Sequence, residues 1–209
     1  QTPTQNFEAT IAAIGVPHIS SCAAAIAVGL FLGIPVAKIQ TGLKAYRPVK
    51  GRLNLLSGIK KTLIVDDTYN ASPDSMKEAL QILARMPHHQ KVAVLGDMLE
   101  LGEVSQLSHQ EVGELAASLR INQLILVGPQ SKFIAEAAQV AGIAKAQVRW
   151  FTTSLEAASH VRDQLIEQSA ILVKGSQGMR MEKITKELLA DPMSASNVLT
   201  RQYGKWLES

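Results

Sequence analysis

Apolar and polar positions follow one pattern before Gly51 and another after it. After Gly51, short continuous apolar runs alternate with segments in which apolar residues recur every three or four positions. Continuous runs of about four to eight apolar residues are typical of strands buried on both faces of a sheet, and the longer spacing is typical of amphipathic helices. The predicted strands are TLIVDD, KVAVLGD, QLILVG, QVRWF and AILVKGS. The predicted helices that follow them are PDSMKEALQILARM, SQLSHQEVGELAASLR, SKFIAEAAQVAG, SLEAASHVRDQLI and MRMEKITKELL.

Strands separated by single helices predict βαβ units, whose crossovers are right-handed. We therefore expect an α/β fold in which a mostly parallel sheet carries helices on both faces. Before this region, His18 to Gly33 and the segment that opens at Pro35 predict two helices. The segment RPVKGR breaks the helical pattern with Pro48 and Gly51 and is predicted to be a linker. The tail from Ser194 could form a short closing helix.

Composition and charge narrow the classes of function. The chain is 46% hydrophobic but only 4% aromatic, which suits helices packed on a buried sheet. Its net charge of +3 comes from scattered basic residues, so nucleic-acid binding is not expected. A single cysteine, Cys22, excludes an internal disulfide framework and favours the reducing cytoplasm. The most apolar stretch, Cys22 to Ile34, is too short to span a bilayer. The first residues lack the basic segment and cleavage site of a signal peptide. They also lack an initiator Met, so we expect a fragment.

Polar residues follow the predicted strands at the points where those strands end. In an open parallel sheet, ligands bind beyond the carboxyl ends of the strands, so these residues are expected on one rim. The strand ends carry Asp66-Asp67, Gly96-Asp97, Gly128-Pro129 and Lys174-Gly175-Ser176.

The adjacent acids Asp66 and Asp67 point to opposite faces if the strand prediction is right. One of them could accept hydrogen bonds from a ribose diol, as strand-end acids do in nucleotide sites. The segment NASPDS that follows also fits an ordinary capped helix start, with Ser72 or Asn70 as the cap and Pro73 at the first helical position. The sequence leaves both interpretations open.

The segment VKGSQGMRMEK places Gly175 and Ser176 between a strand and a helix. Exposed backbone N–H groups and the helix dipole at such a place attract a carboxylate or a phosphate, and Lys174 and Arg180 would add charge. An ordinary turn is the alternative, because the segment is neither a Walker A loop nor GxGxxG.

The polar connection GDMLELGE contains Asp97, Glu100 and Glu103, which could collect a cation. No His or Cys spacing supports a tight metal site there, so a solvated loop is the favoured interpretation. The segment GPQSK is only loosely similar to a phosphate loop.

Several stretches in one order resemble the Mur ligases. They are YRPVKGRLN, IVDDTYNASPDSMKEAL, VLGDMLELGE, HQEVG and LVKGSQGMRMEKI. The most specific segments are DDTYNASPDSM and KGSQGMRME. Members such as the folylpolyglutamate synthases usually carry a Tyr-Ala-His version of the first segment. The resemblance implies that residues 1–47 end the central ATPase domain and that residues 48–209 form the Rossmann-like C-terminal domain.

The resemblance also implies a reaction. ATP phosphorylates the carboxylate of a UDP-linked muramoyl-tripeptide and leaves as ADP. The amine of D-alanyl-D-alanine then attacks the acyl phosphate, which forms an amide and releases phosphate. The expected cofactors are ATP and Mg²⁺, and the phosphate loop, modified lysine and magnesium ligands would precede this chain. The fragment alone is therefore expected to be inactive, with the rest of its own chain and these small molecules as its partners.

The same resemblance assigns residues to the two substrates. Arg52 would act in catalysis by contacting the ATP phosphates, and Asp67 would contact the ribose. Tyr69 and Asn70, counted with the ATP-binding residues, would lie near the adenine or on the acceptor side. The residues implied for the acceptor are Asp74, Lys174, Gly175 and Ser176.

One departure and several alternatives follow from the residues. Ile19 and Cys22 stand where the family often has Asn residues near the nucleotide. A related amide ligase of the folylpolyglutamate or cyanophycin synthetase type is one alternative, and a non-catalytic nucleotide-binding module is another. A nicotinamide oxidoreductase is disfavoured, because no GxGxxG follows the first strand.

Overall fold

The computed structural model describes residues 6–207, and the chain divides between Val49 and Lys50 into two compact units. Within the described residues, none of the helices combines the length and apolarity that crossing a bilayer requires.

The first unit contains helix α1, Val16–Phe31, and helix α2, Val36–Ala45. Its small core is formed by Cys22, Ile39 and Leu43. The imidazole Nδ1 of His18 lies 2.9 Å from the Tyr46 hydroxyl and ties the start of α1 to the end of α2. Cys22 is thus a core residue of this unit, whereas Ile19 is exposed.

The second unit is built on a six-stranded sheet in the order β1-β2-β6-β3-β4-β5. The strands are β1 Asn54–Ser57, β2 Leu63–Asp67, β3 Lys91–Gly96, β4 Gln123–Val127, β5 Val148–Phe151 and β6 Ala170–Lys174. Strands β2 to β6 pair in parallel, and only the edge strand β1 is antiparallel. The predicted α/β class with a mostly parallel sheet is confirmed, and β1 is a strand that was not predicted.

Helices cover both faces of this sheet. They are α3 Pro73–Arg85, α4 Ser105–Ser118, α5 Ser131–Val140, α6 Ser154–Gln164, α7 Glu182–Leu188 and the short α8 Ala195–Val198. The first three crossovers run from β2 towards β5, and the fourth returns to β6 in the middle of the sheet. Because crossovers are right-handed, the returning helix α6 lies on the opposite face, where α7 packs beside it.

Strand β6 lies between β2 and β3, and the helix that follows β6 is on the opposite face of the sheet from the helices that follow β2 and β3. After β2 and β3 the chain passes to α3 and α4, whereas after β6 it passes to α7. Crevices open where neighbouring connections diverge in this way, and ligands in open α/β sheets bind there. The carboxyl end of β6 and its two neighbours is therefore where the fold places a site.

Two segments differ from the sequence-based expectation. The predicted helix MRMEKITKELL begins only at Glu182, because Gln177–Met179 forms a 3-10 turn that ends at Arg180 in the left-handed region, with φ of 54°. The tail after Ser194 is not one closing helix, since α8 is a single turn and Gly204–Leu207 is a separate 3-10 turn.

Candidate functional site at the carboxyl ends of β2, β6 and β3

A buried ion pair joins the ends of β2 and β6. Asp67 and Lys174 are register partners, and the Lys174 ammonium donates to Asp67 Oδ2 at 2.6 Å. The other carboxylate oxygen of Asp67 accepts from the Leu53 amide at 3.2 Å. Burial lowers the pKa of Lys174, and the adjacent Asp67 carboxylate offsets part of that effect. The family resemblance implies different ligands for these two residues, and the structure places their side chains against each other.

Two buried cations donate hydrogen bonds to the backbone of the loop after β2, residues 68–70. Lys174 donates to the carbonyl oxygen of Asn70 at 3.0 Å. The Arg201 guanidinium donates to the carbonyl oxygens of Thr68 at 3.1 Å and of Tyr69 at 2.6 Å. Since the carbonyls are bound on the protein side, the Tyr69 and Asn70 residues remain exposed on the rim.

The guanidinium of Arg52 lies over the Tyr69 ring, 4.3 Å from its centroid. Gly51 makes this approach possible: its φ is +71°, and a Cβ there would come within 2.9 Å of the Thr200 side chain and 3.0 Å of the Tyr69 amide nitrogen. The same Tyr69 amide donates to the Gly51 carbonyl at 3.1 Å. A cation and an aromatic face are thereby presented side by side at the rim.

Asp66 lies beside Asp67 in sequence but serves the opposite face. Its Oδ1 accepts from the hydroxyls of Thr68, at 2.9 Å, and of Thr185 on α7, at 3.0 Å. Its Oδ2 is buried and has no hydrogen-bond partner among residues 6–207. Burial raises the pKa of Asp66 to about 7, against the lowering effect of the two hydroxyls.

The carboxylate of Asp97, just after β3, caps helix α5. It accepts from the Ser131 amide at 2.7 Å and from the Gln130 amide at 3.1 Å. Burial raises the pKa of Asp97, and these two amides oppose the rise. The amides that begin α5 are therefore occupied by an internal carboxylate. Among residues 6–207, Asp97, Glu100 and Glu103 form no metal-binding group, and neither do any three other His, Cys, Asp or Glu residues.

The segment after β6 packs tightly against the loop after β3. The Ser176 amide donates to the Asp97 carbonyl at 3.0 Å, and the Ser176 hydroxyl accepts from the Leu99 amide at 2.8 Å. A Cβ at Gly175 would lie 2.7 Å from the Met181 side chain, so only glycine fits there without a shift. The expectation of an exposed Ser176 amide is wrong, because that amide bonds within the protein.

The structure brings together most of the residues predicted for a site. Those linked by the contacts above are Arg52, Asp67, Tyr69, Asn70 and Lys174. Asp74 is exposed in the first turn of α3, which Ser72 caps by accepting from the Ser75 amide at 3.4 Å.

Three buried polar residues near this rim were missed by the sequence analysis: Glu182, Thr185 and Arg201. No local pattern marks them, since each acts on a segment more than a hundred residues away or on another of the three. His109 lies on α4. The structure shows it fully buried, donating from Nδ1 to the Ser105 carbonyl and accepting at Nε2 from the Met98 amide at 3.0 Å.

Comparison with known proteins gives this rim a family context. The family model described as Mur ligase, glutamate ligase domain matches residues 51–177. The UDP-N-acetylmuramoyl-tripeptide–D-alanyl-D-alanine ligase of Bacillus subtilis (strain 168) is 34% identical over 182 residues, 87% of this chain and 40% of the relative. The ligase of the same name from Escherichia coli (strain K12) is 34% identical over 190 residues, 90% of this chain and 40% of the relative.

Solved structures agree with these relatives. A crystal structure of MurF from Acinetobacter baumannii superposes with a TM-score of 0.79 at 30% identity, covering 92% of this chain and 41% of that one. MurF from Thermotoga maritima in complex with ADP superposes with a TM-score of 0.70 at 27% identity, covering 84% of this chain and 38% of that one. The chain spans about 40% of the length of these curated relatives. Because the family model covers more than half of its 209 residues, this chain belongs to the Mur ligase family, of which it carries the glutamate ligase domain.

Proposed function

We propose that this chain is the C-terminal part of an ATP-dependent ligase that adds D-alanyl-D-alanine to UDP-N-acetylmuramoyl-tripeptide, in the cytoplasm. The observation that carries the proposal is the 34% identity to two ligases of that name, which extends over 87% and 90% of this chain. Those relatives are more than twice as long, so the remaining catalytic parts belong to sequence outside this chain.

The rim has the side chains that a nucleotide site needs. The exposed Tyr69 ring offers a surface on which a base can stack, and the Arg52 cation beside it suits a phosphate. Both oxygens of Asp67 already accept a hydrogen bond, but a carboxylate has about four acceptor positions, so a ribose hydroxyl can still donate to it. The MurF structure from Thermotoga maritima that resembles this chain contains ADP.

When bound, ATP supplies the phosphoryl group that activates the tripeptide carboxylate for attack by an amine. The part of this chain in that reaction is to orient and to neutralise charge, which supplies most of the catalysis in phosphoryl transfer. Arg52 is placed to compensate negative charge at the phosphates. The described residues contain no group suited to Mg²⁺, so its ligands are not assigned to this chain.

The acceptor residues divide into two kinds. Asp74 is an exposed carboxylate in the first turn of α3 and suits the ammonium of a dipeptide. Gly175 and Ser176 line the proposed acceptor site with backbone, because their tight packing fixes the chain after β6. Lys174 is only 1% exposed and bonds within the protein, so we assign it to shaping the site through the 68–70 loop.

Phosphate release by the full-length gene product tests the proposal. The assay supplies ATP, UDP-N-acetylmuramoyl-tripeptide and candidate acceptors, with this chain alone as the control that is expected to be inactive. Release that depends on D-alanyl-D-alanine supports the proposed ligase. Release only with a folate and glutamate supports the related amide ligase instead. Nucleotide binding without release from the folded protein supports a non-catalytic module and refutes the proposal.

A further inference from the structure

All three carbonyl oxygens of the 68–70 loop accept hydrogen bonds from later parts of the chain. Arg201 holds the carbonyls of Thr68 and Tyr69, and Lys174 holds that of Asn70. A short loop that follows a strand normally turns several of its polar backbone groups to water. Here its backbone is fixed on the protein side, and that leaves the Tyr69 side chain directed to the rim.

Each of these cations is itself held in place by a buried carboxylate. Asp67 pairs with Lys174, and Glu182 Oε2 accepts from Arg201 at 3.1 Å. The other oxygen of Glu182 accepts from Arg180 at 2.6 Å. Glu182 is fully buried and Arg201 is 5% exposed, so neither side chain can reorient without breaking these bonds.

Arg201 also belongs to a cluster of three arginines and two aromatic rings. Its guanidinium lies 5.7 Å from the centroids of both Tyr69 and Trp206. Arg52 lies over the Tyr69 ring at 4.3 Å, and Arg180 over the Trp206 ring at 5.2 Å. Arg201 is the member that contacts both rings and the loop backbone. It therefore links the C-terminal tail to the Arg52–Tyr69 pair.

We propose that Arg201 is a positioning residue for the nucleotide site, acting through the backbone of the 68–70 loop on Tyr69 and Arg52. The nucleotide part of this inference rests on the proposed function. Arg201 lies beyond residues 51–177, which match the family model. Its Nη1 donates to the Thr68 carbonyl and to Glu182, whereas its Nη2 donates to the Tyr69 carbonyl, and the single nitrogen of a lysine cannot occupy both positions.

The first test follows the loop itself, by amide hydrogen exchange in the 209-residue chain. Arg201→Lys keeps the charge next to Glu182 but loses the fork. The reporter is the Tyr69 amide, which donates to the Gly51 carbonyl at 3.1 Å. We expect its exchange to accelerate about tenfold or more, the scale of losing one hydrogen bond to a charged group, while the amides of β3 and β4 are unchanged.

A matched control is Arg162→Lys, because Arg162 forms exposed ion pairs with Asp163 and Glu187 and none with the 68–70 loop. That control should leave the Tyr69 amide unchanged. Unchanged exchange of Tyr69 in Arg201→Lys would overturn the proposal, and so would an equal acceleration in all strands, which would indicate general destabilisation.

The second test uses the full-length protein and asks whether the loop serves ATP binding and not acceptor binding. In Arg201→Lys, KM for ATP should rise about tenfold to a hundredfold, since misplacing a binding group by about 1 Å has an effect of that order. KM for D-alanyl-D-alanine should stay within about twofold, as for an interaction that serves one substrate. A loosened Tyr69 amide with an unchanged KM for ATP would refute the nucleotide role. A wild-type protein without ATP-dependent activity would refute the proposed function, and the exchange result would still decide whether Arg201 holds the loop.

Discussion

Replacing the buried Asp66 by Asn should remove a pH dependence from the stability of the second unit. Asp66 is 0% exposed, its Oδ1 accepts from two hydroxyls, and its Oδ2 has no hydrogen-bond partner among residues 6–207. Burial raises its pKa from 3.8 to about 7. Between these values the folded protein retains a proton that the unfolded chain has released, so the native state is destabilised as the pH rises.

The size of the effect follows from the shift. Each unit of pKa difference corresponds to about 1.36 kcal/mol, so the full change is on the order of 4 kcal/mol for a pKa that moves from 3.8 to about 7. The stabilisation is complete below pH 3.8, declines as the pH rises, and is lost above about pH 7. Between pH 5 and pH 8 about 2–3 kcal/mol of it should disappear, a large part of the total of about 5–15 kcal/mol typical of a domain.

Urea denaturation of the 209-residue chain at pH 5 and pH 8 measures this change. Both tryptophans, Trp150 and Trp206, lie in the second unit, so their fluorescence follows its unfolding. Asp66→Asn is isosteric and cannot ionise, so its free energy of unfolding should rise relative to wild type by about 2–3 kcal/mol from pH 5 to pH 8.

Two further variants test whether the pH dependence arises from Asp66. Thr185→Val removes one hydroxyl donor from the Asp66 carboxylate, so its deficit against wild type should grow with pH. Asp163→Asn, at an exposed position of α6, controls for the loss of any carboxylate, and its difference from wild type should not follow this course. If Asp66→Asn and wild type lose stability in parallel between pH 5 and pH 8, Asp66 does not carry the buried proton.

Three other substitutions have defined outcomes. Gly175→Ala should lower the free energy of unfolding by about 1–3 kcal/mol in urea titrations, because the new Cβ would lie 2.7 Å from the Met181 side chain. Gly178→Ala is the control and should cost less, because its Cβ would meet the flexible end of the Leu99 side chain at 3.0 Å. His109→Phe should cost about 1–3 kcal/mol, because it leaves the Met98 amide without its buried acceptor, and an unchanged urea midpoint would contradict that role. Arg52→Ala in the full-length protein should reduce kcat for phosphate release more than it raises KM for D-alanyl-D-alanine, and the reverse pattern would refute the phosphate assignment.

The fold was predictable because its signals are local. Each of the strands β2, β3, β4 and β6 is a continuous apolar run, and each is followed by residues at helical spacing. Strand β1 has only four residues with every second one exposed, so Asn54–Ser57 gives no such signal. The position of β6 between β2 and β3 is set by packing of distant segments, and no local period encodes it.

The candidate site was predictable only in its location. Parallel strands end on one rim, which placed Asp67 and Lys174 near each other, but their pairing joins residues 107 positions apart. Arg201 gave no signal at all, because its effect on the loop is exerted across 132 or 133 positions and its own segment has no regular pattern. Side-chain pairing across such separations is a property of the folded chain alone.

The adjacent acids Asp66 and Asp67 show that the position of a residue in the sheet can follow from the sequence while its chemical role depends on what packs against it. Strand geometry sends Asp66 and Asp67 to opposite faces, and this much follows from the sequence. One face offers Asp67 the Lys174 ammonium, so it is held as an ion pair at the rim. On the other face Asp66 accepts from two hydroxyls, and no cation among residues 6–207 lowers its pKa, so burial raises that pKa to about 7. The same residue type at consecutive positions therefore gives one side chain that pairs with Lys174 at the site and one that burial keeps protonated up to about pH 7 and that joins β2 to α7.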